Sequence, residues 1–401
     1  MSAYLFDWLE MLLRWLHLIT AIAWIGASFY FVWLDNHLQP PEAEDLLRKG
    51  VDGELWAVHG GGFYNPQKYL RSPEKLPNKL HWFYWESYST WLSGFALFTL
   101  VYLSQPTSYL IDPAVLALTP VQAIAAALGF LVAGTLGYDL LCRLFGFRER
   151  WLGIAVSFLI AALTYLACHT FASRAAFVIT GAAMASMMTW NVLVWIIPGQ
   201  RKVVAALRAA QPVDPIHGRR GKQRSVHNTY FTLPVVFCMI SNHFGRMHTH
   251  HQNWLALIGM MFAAALIREC FLSRHKGRSG FSAATGGLAI LAGIFFWMQP
   301  QHTPQGLANG NAAAPVVDRS TVFAIIRQRC YGCHANAPTL VGGGPPKGLA
   351  FEAEADMERA AQKIYTQVVE LKAMPLGNIT NISAEERQVI ANWYHQTNVG
   401  R

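Results

Sequence analysis

The chain has 401 residues, of which 53% are hydrophobic and only 14% charged, with 14 tryptophans among them. This balance, with a mean hydropathy of +0.24, is far from that of a soluble globular protein and points to burial in lipid. A formal net charge of +9 does not make it a nucleic-acid-binding protein, because the Lys and Arg are split among short loops instead of gathered on one basic face.

In chain order, eight apolar stretches fall near 9–34, 82–104, 120–142, 151–172, 175–197, 228–245, 253–272 and 281–299. Each approaches the roughly 20 residues that cross a bilayer as a helix. Trp, Tyr and Phe crowd their ends as interface anchors. The first stretch lacks the basic start and small-residue cleavage site of a signal peptide, so it is read as a retained helix. Loops rich in Lys and Arg alternate with loops that have almost none: six such residues follow the first stretch, three the third, seven the fifth and three the seventh. The second is followed by none, the fourth by Arg174 and the sixth by Arg246. Positive loops stay in the cytoplasm, so both ends of the bundle are expected outside. The expected fold is all-α: a polytopic eight-helix transmembrane bundle over 1–299, followed by a small helical domain.

Ionisable groups inside such helices are costly and mark sites or pathways. His17, with Arg14 one turn away, His169 and His243 are expected toward the outer face. His81, Glu86, Asp139, Asn191, His227 and Asn228 are expected toward the cytoplasm. His17, His81, His169, His227 and His243 are candidate ligands for one or two b-type haems that would carry electrons across the bilayer. Interhelical hydrogen bonding is the plainer alternative. The run from Met247 to His251 reads as a short hydrophilic outer loop, with metal binding as the lesser alternative. Cys142, Cys168, Cys238 and Cys270 read as buried thiols.

The loop after the first stretch runs Trp56-Ala57-Val58-His59-Gly60-Gly61-Gly62-Phe63-Tyr64, then Lys68, and enters the second stretch as His81-Trp82-Phe83-Tyr84-Trp85-Glu86. Glycines allow close backbone approach and the rings offer stacking faces. A planar anionic heterocycle suits this chemistry, with aromatic stacking on its face, Lys68 or an arginine for its charge, and Glu86 or a histidine to take its proton. A structural turn with interface aromatics is the competing reading. No Gly-Lys-Ser/Thr follows the glycines, which excludes a nucleotide P-loop.

Residues 300–318, rich in Gln, Gly, Asn and Ala, read as a flexible linker. Beyond it, in a domain over 319–401, lies Cys330-Tyr331-Gly332-Cys333-His334, the C-x-x-C-H attachment site of a c-type haem. Two cysteines bond the vinyl groups and His334 ligates the iron. A redox disulfide lacks the abutting histidine, and a zinc ribbon needs a second C-x-x-C. Met374, in a loop before Pro375, is the preferred second ligand over Met357 and His395. Ser383 to Glu386 is a capping box that opens a last helix with Val389, Ile390 and Trp393 inward. Haem of this type is attached outside the bacterial cytoplasm, in agreement with the loop charges, which gives an inner-membrane protein with a periplasmic haem domain.

Several segments together resemble the bacterial membrane-bound urate oxidases, in which an eight-helix urate oxidase N-terminal domain is fused to a cytochrome c. They are Arg14-Trp15-Leu16-His17, Ala23 to Tyr30, His59 to Tyr64, His81 to Glu86, His227 to Pro234, Ile240 to His243, and Cys330 to His334. The resemblance covers essentially the whole chain. It implies oxidation of urate to 5-hydroxyisourate, with electrons passed to the haem and on to a soluble cytochrome c or a terminal oxidase. A cytoplasmic urate site at the glycine loop, with Glu86 as base, His59 and Tyr64 as orienting groups and Lys68 as anion partner, would need b-type haems to span about 30 Å of hydrocarbon; without them, urate belongs near Arg14 and His17. The competing function is a haem electron-transfer subunit for quinol or a partner dehydrogenase, without a urate site of its own. A transporter lacks support, since neither inverted repeats nor interrupted helices are evident.

Overall fold

The computed structural model describes residues 3–69, 72–73, 76–275, 277–299 and 317–398. All eight apolar stretches are helical. They form α1 (Ala3–His37), α2 (Trp85–Phe98), α3 (Pro120–Phe145), α4 (Glu149–Cys168), α5 (Ser173–Trp190), α6 (Pro215–Ile240), α7 (Asn253–His275) and α8 (Phe281–Trp297). Five are long and apolar enough to cross a membrane: α1, α3, α4, α7, and α5 with its continuation to Arg208. Two helices of the bundle pass into π-helical turns. α2 passes into a π-helical turn over Thr99–Leu103, and α5 into one over Asn191–Ile196 before resuming as Ile197–Arg208. Such turns occur often at functional sites.

Helix starts follow local chemistry. Thr119 caps α3 through a capping box with Gln122, and Pro120 opens the helix. α6 begins at Pro215, well before the apolar stretch near 228–245 that marks it in the sequence. Asp214 Oδ1 accepts from the Ile216 amide at 2.9 Å, Arg219 lies 4.2 Å over the Phe147 ring, and Gln223 Nε2 donates to Gly146 O at 2.9 Å. Capping and tertiary contacts therefore hold the polar half, which has no apolar periodicity to reveal it. α5 is the central element. Ala175 to Thr180 are buried without a break, and they pack into one core with Phe98, Leu131, Phe171, Cys238 and Leu257.

The all-α expectation needs one correction. The loop between α1 and α2 folds as β1 (Val51–Glu54) paired antiparallel with β4 (Gln67–Tyr69), and β2 (Ala57–His59) paired with β3 (Gly62–Tyr64). Gly60 and Gly61 turn the inner hairpin at φ 57° and 80°, backbone that favours glycine. Strands of three or four residues are too short for an alternating pattern to show.

The C-terminal residues form a separate helical unit: α9 (Arg319–Arg329), α10 (Tyr331–His334), α11 (Glu354–Arg359) and α12 (Ala384–Asn398). Val322, Ile326, Met357, Ile364, Ile390 and Trp393 build its core. The linker expected over 300–318 lies, through 316, outside the described residues.

Candidate functional site

The C-x-x-C-H segment occupies one tight helical turn. The amides of Cys333 and His334 donate to Cys330 O at 3.1 and 2.9 Å, which holds the two cysteines and the histidine together at the start of α10. His334 Nδ1 donates to Leu349 O at 2.8 Å, leaving Nε2 as the free ring nitrogen, and the ring lies 5.1 Å from Phe351. A bond of this kind orients the ring of a metal-ligating histidine. Both cysteines are free thiols. Burial pushes Cys330 up to about 12 and raises Cys333 as well, opposite to the lowered thiol of a redox-active C-x-x-C. The donor set fits a c-type haem.

Met374 packs against the same core. Its amide donates to Gln367 O at 3.1 Å, and its carbonyl accepts from Arg387 Nη1 at 2.9 Å, so the segment is held on both sides. Met357 is fully buried, and His395 faces Tyr365 at the outer edge.

The C-terminal unit sits on one end of the bundle. Ser108 Oγ donates to Leu340 O at 2.7 Å, Gly342 N to Gln105 Oε1 at 2.7 Å, and Gly344 N to Asp7 Oδ2 at 3.0 Å. Gly343, at φ 90°, lies so close to Asp7 that a Cβ would come within 2.0 Å of its carboxylate. Leu371 reaches Gly245 beyond α6.

The glycine-loop residues lie at the other end. Lys68 pairs with Asp35 at 2.8 Å, at the far end of α1. Asp7 and Asp35 are 28 residues apart in one helix, about 42 Å at 1.5 Å per residue. His59 and Tyr64 stand on the exposed inner hairpin, while Glu86 lies in the first turn of α2 with Oε2 buried and unpartnered. Among the described residues, no hydrogen bond or ion pair joins Glu86 to His59, Tyr64 or Lys68. Near this end, a cavity of about 280 Å³ is lined by Phe29, Val32, Trp33, Arg268 and Phe271.

Four of the candidate b-haem histidines have protein partners, and His17 and His169, like His334, bond a backbone carbonyl through Nδ1. His17 Nδ1 lies 3.1 Å from Thr90 O, and its ring presses on Gly94. His169 Nδ1 meets Tyr165 O at 2.7 Å, His227 Nδ1 meets Tyr138 Oη at 2.7 Å, and His81 packs on Phe83. Nothing in the contacts of these residues or of His243 brings two imidazoles face to face.

Two clusters emerge that the sequence shows only as separate residues. In the first, Asp139 accepts from Arg143 Nε at 2.8 Å, Trp195 Nε1 at 2.6 Å and Arg224 Nη2 at 3.2 Å. Beside it, Asn191 donates to Tyr138 and Asn228, both at 2.9 Å. The second lies under the C-terminal unit. Asn242 Nδ2 donates to Tyr102 Oη at 3.0 Å, and the Tyr102 and Tyr109 rings are 5.7 Å apart. His248, expected in a hydrophilic loop, is only 1% exposed on the turn Gly245–Thr249. It is buried because it packs beside Phe177 of the central helix. Among the described residues, no three His, Cys, Asp or Glu gather as for a metal ion.

The described residues combine long apolar helices compatible with membrane insertion, buried polar clusters among them, and a surface unit with a C-x-x-C-H motif. The family model described as "Urate oxidase N-terminal" matches residues 3–299, and the chain belongs to that family. Comparison with curated proteins and with solved structures gave no match. Membership points to an oxidoreductase acting on urate.

Proposed function

We propose that this protein is a membrane-bound urate oxidase that converts urate to 5-hydroxyisourate and delivers the electrons to a c-type haem on its own C-terminal unit. The family match over 3–299 supports the substrate. The fixed imidazole of His334, beside two free thiols, supports the acceptor and is the observation on which the redox assignment rests. Urate and water yield 5-hydroxyisourate, two protons and two electrons. Cys330 and Cys333 would hold the group covalently and His334 and Met374 would ligate its iron, and the group would supply a one-electron acceptor. The chain itself must bind and orient the purine, accept its protons, and hold the C-terminal unit against the bundle. In this reading the eight helices span the bacterial inner membrane with both ends outside. The C-terminal unit then lies in the periplasm, where a soluble cytochrome c or a terminal oxidase removes the electrons.

The test is a stoichiometry. Purified protein in detergent, with a soluble one-electron acceptor, should reduce two equivalents per urate consumed without taking up dioxygen, and Cys330→Ala should abolish this. Dioxygen uptake matching urate loss contradicts the reading. Reduction by quinol but not by urate makes the chain an electron-transfer subunit instead.

A further inference from the structure

The end of the bundle beneath the C-terminal unit contains polar atoms that are buried and have no partner: Arg174 Nε, Gln105 Nε2, Asn242 Oδ1 and both ring nitrogens of His248. They converge. Asn242 holds Tyr102, Tyr102 contacts Tyr109, and Arg174 is within electrostatic reach of both tyrosines and of His248. Tyr109 is likewise within electrostatic reach of Cys333. The C-terminal unit roofs the cluster, through Gly342 on Gln105 and Leu371 on Gly245.

A buried polar group without a partner is costly, and native proteins pair nearly all of them. Five such atoms at one place call for a polar ligand. Their chemistry is specific. A guanidinium and an amide N–H₂ donate, an amide oxygen accepts, and a neutral imidazole does both. Burial first, and then the Arg174 charge, push His248 down to about 3, so its ring is neutral at neutral pH.

Resting on the urate oxidase reading above, we infer that this roofed polar cluster binds the substrate, a planar monoanionic purine. Arg174 meets its charge, and Gln105, Asn242 and His248 meet its alternating N–H and C=O edge. The cavity at Arg268 offers one cation among four apolar side chains, without an acceptor for the purine N–H groups. The strand-forming loop, bonded to α1 through Lys68 and Asp35, is about 42 Å along that helix from the C-terminal unit. Among the described residues, this polar cluster lies within electrostatic reach of Cys333 on α10, through Tyr109.

The experiment is anaerobic equilibrium dialysis of labelled urate against full-length protein already reduced with dithionite, so that binding is read without turnover. Arg174→Gln should weaken binding about 10- to 100-fold, the range expected for a charge-assisted contact, with Arg174→Lys intermediate. Haem content and midpoint potential should stay at wild-type values. Arg268→Gln should bind as wild type does. If Arg174→Gln loses haem, Asn242→Leu replaces it and should weaken binding in the same direction. Unchanged binding in the Arg174 and Asn242 variants overturns the assignment. So does an altered midpoint potential with unchanged urate affinity, which would mark Arg174 as a haem propionate partner. Loss of urate-driven reduction in Glu86→Gln, with intact binding in Arg174→Gln, moves the site to the hairpin end and also overturns it. Wild-type protein that binds urate but is never reduced by it refutes the oxidase reading and leaves the binding cluster standing.

Discussion

At the scale of single residues, function depends on how a few side chains are held. Met374 is expected to be the weaker iron ligand, and a thioether opposite imidazole raises the reduction potential. Met374→Ala should keep covalent haem and lower the midpoint potential, read by redox titration; an unchanged potential assigns the ligand elsewhere. Glu386 joins the end of α9 to the start of α12. Arg329 Nη2 donates to it at 2.9 Å, and the Ser383 amide at 2.8 Å. Burial opposes ionisation, but these bonds outweigh it and leave the carboxyl below its ordinary value of 4.5. Its stabilising contribution is therefore complete above pH 4.5 and is lost as pH falls through the lowered folded value. Glu386→Gln should cost about 2 kcal/mol at pH 7 and proportionately less in acid, measured by amide exchange in α12. Residues of this kind are legible in sequence where the chemistry is local: C-x-x-C-H and the Ser383 capping box are each complete within five residues. Arg174 and His248 are not, because 74 residues separate them and only the fold makes them neighbours.

Elements carry the next level of constraint. The loop Leu340–Gly344 seats the C-terminal unit on Asp7, Gln105 and Ser108, and Gly343 fits only because it has no side chain. Gly343→Val should slow urate-driven haem reduction by about tenfold or more by loosening this contact, strained as it is at positive φ, while dithionite reduces the haem as before. Equal slowing with both reductants would place the defect in the haem fold. At the other end, Arg224 is 3% exposed and Asp139 4%. Asp139→Ala leaves that guanidinium buried and unpaired, at a cost of about 3–5 kcal/mol, visible as a lowered thermal unfolding temperature in detergent. The eight helical stretches were legible as long apolar runs. The polar half of α6, the two π-helical turns of the bundle and the short hairpins were not, because caps and tertiary contacts decide them.

For the whole molecule, α1 is a measure of length: one end is bonded to the C-terminal unit and the other, through Asp35, to Lys68 on β4 of the strand-forming loop, about 42 Å apart. A substrate at the hairpin needs electron carriers between the two ends, whereas a substrate at the roofed polar cluster needs none. The central claim is that urate itself reduces the c-type haem. Its most direct test is an anaerobic difference spectrum of the purified full-length protein on adding urate, with a pyridine haemochrome assay on the same sample. The account predicts a reduced c-type α band. A haem that dithionite reduces and urate does not would contradict it.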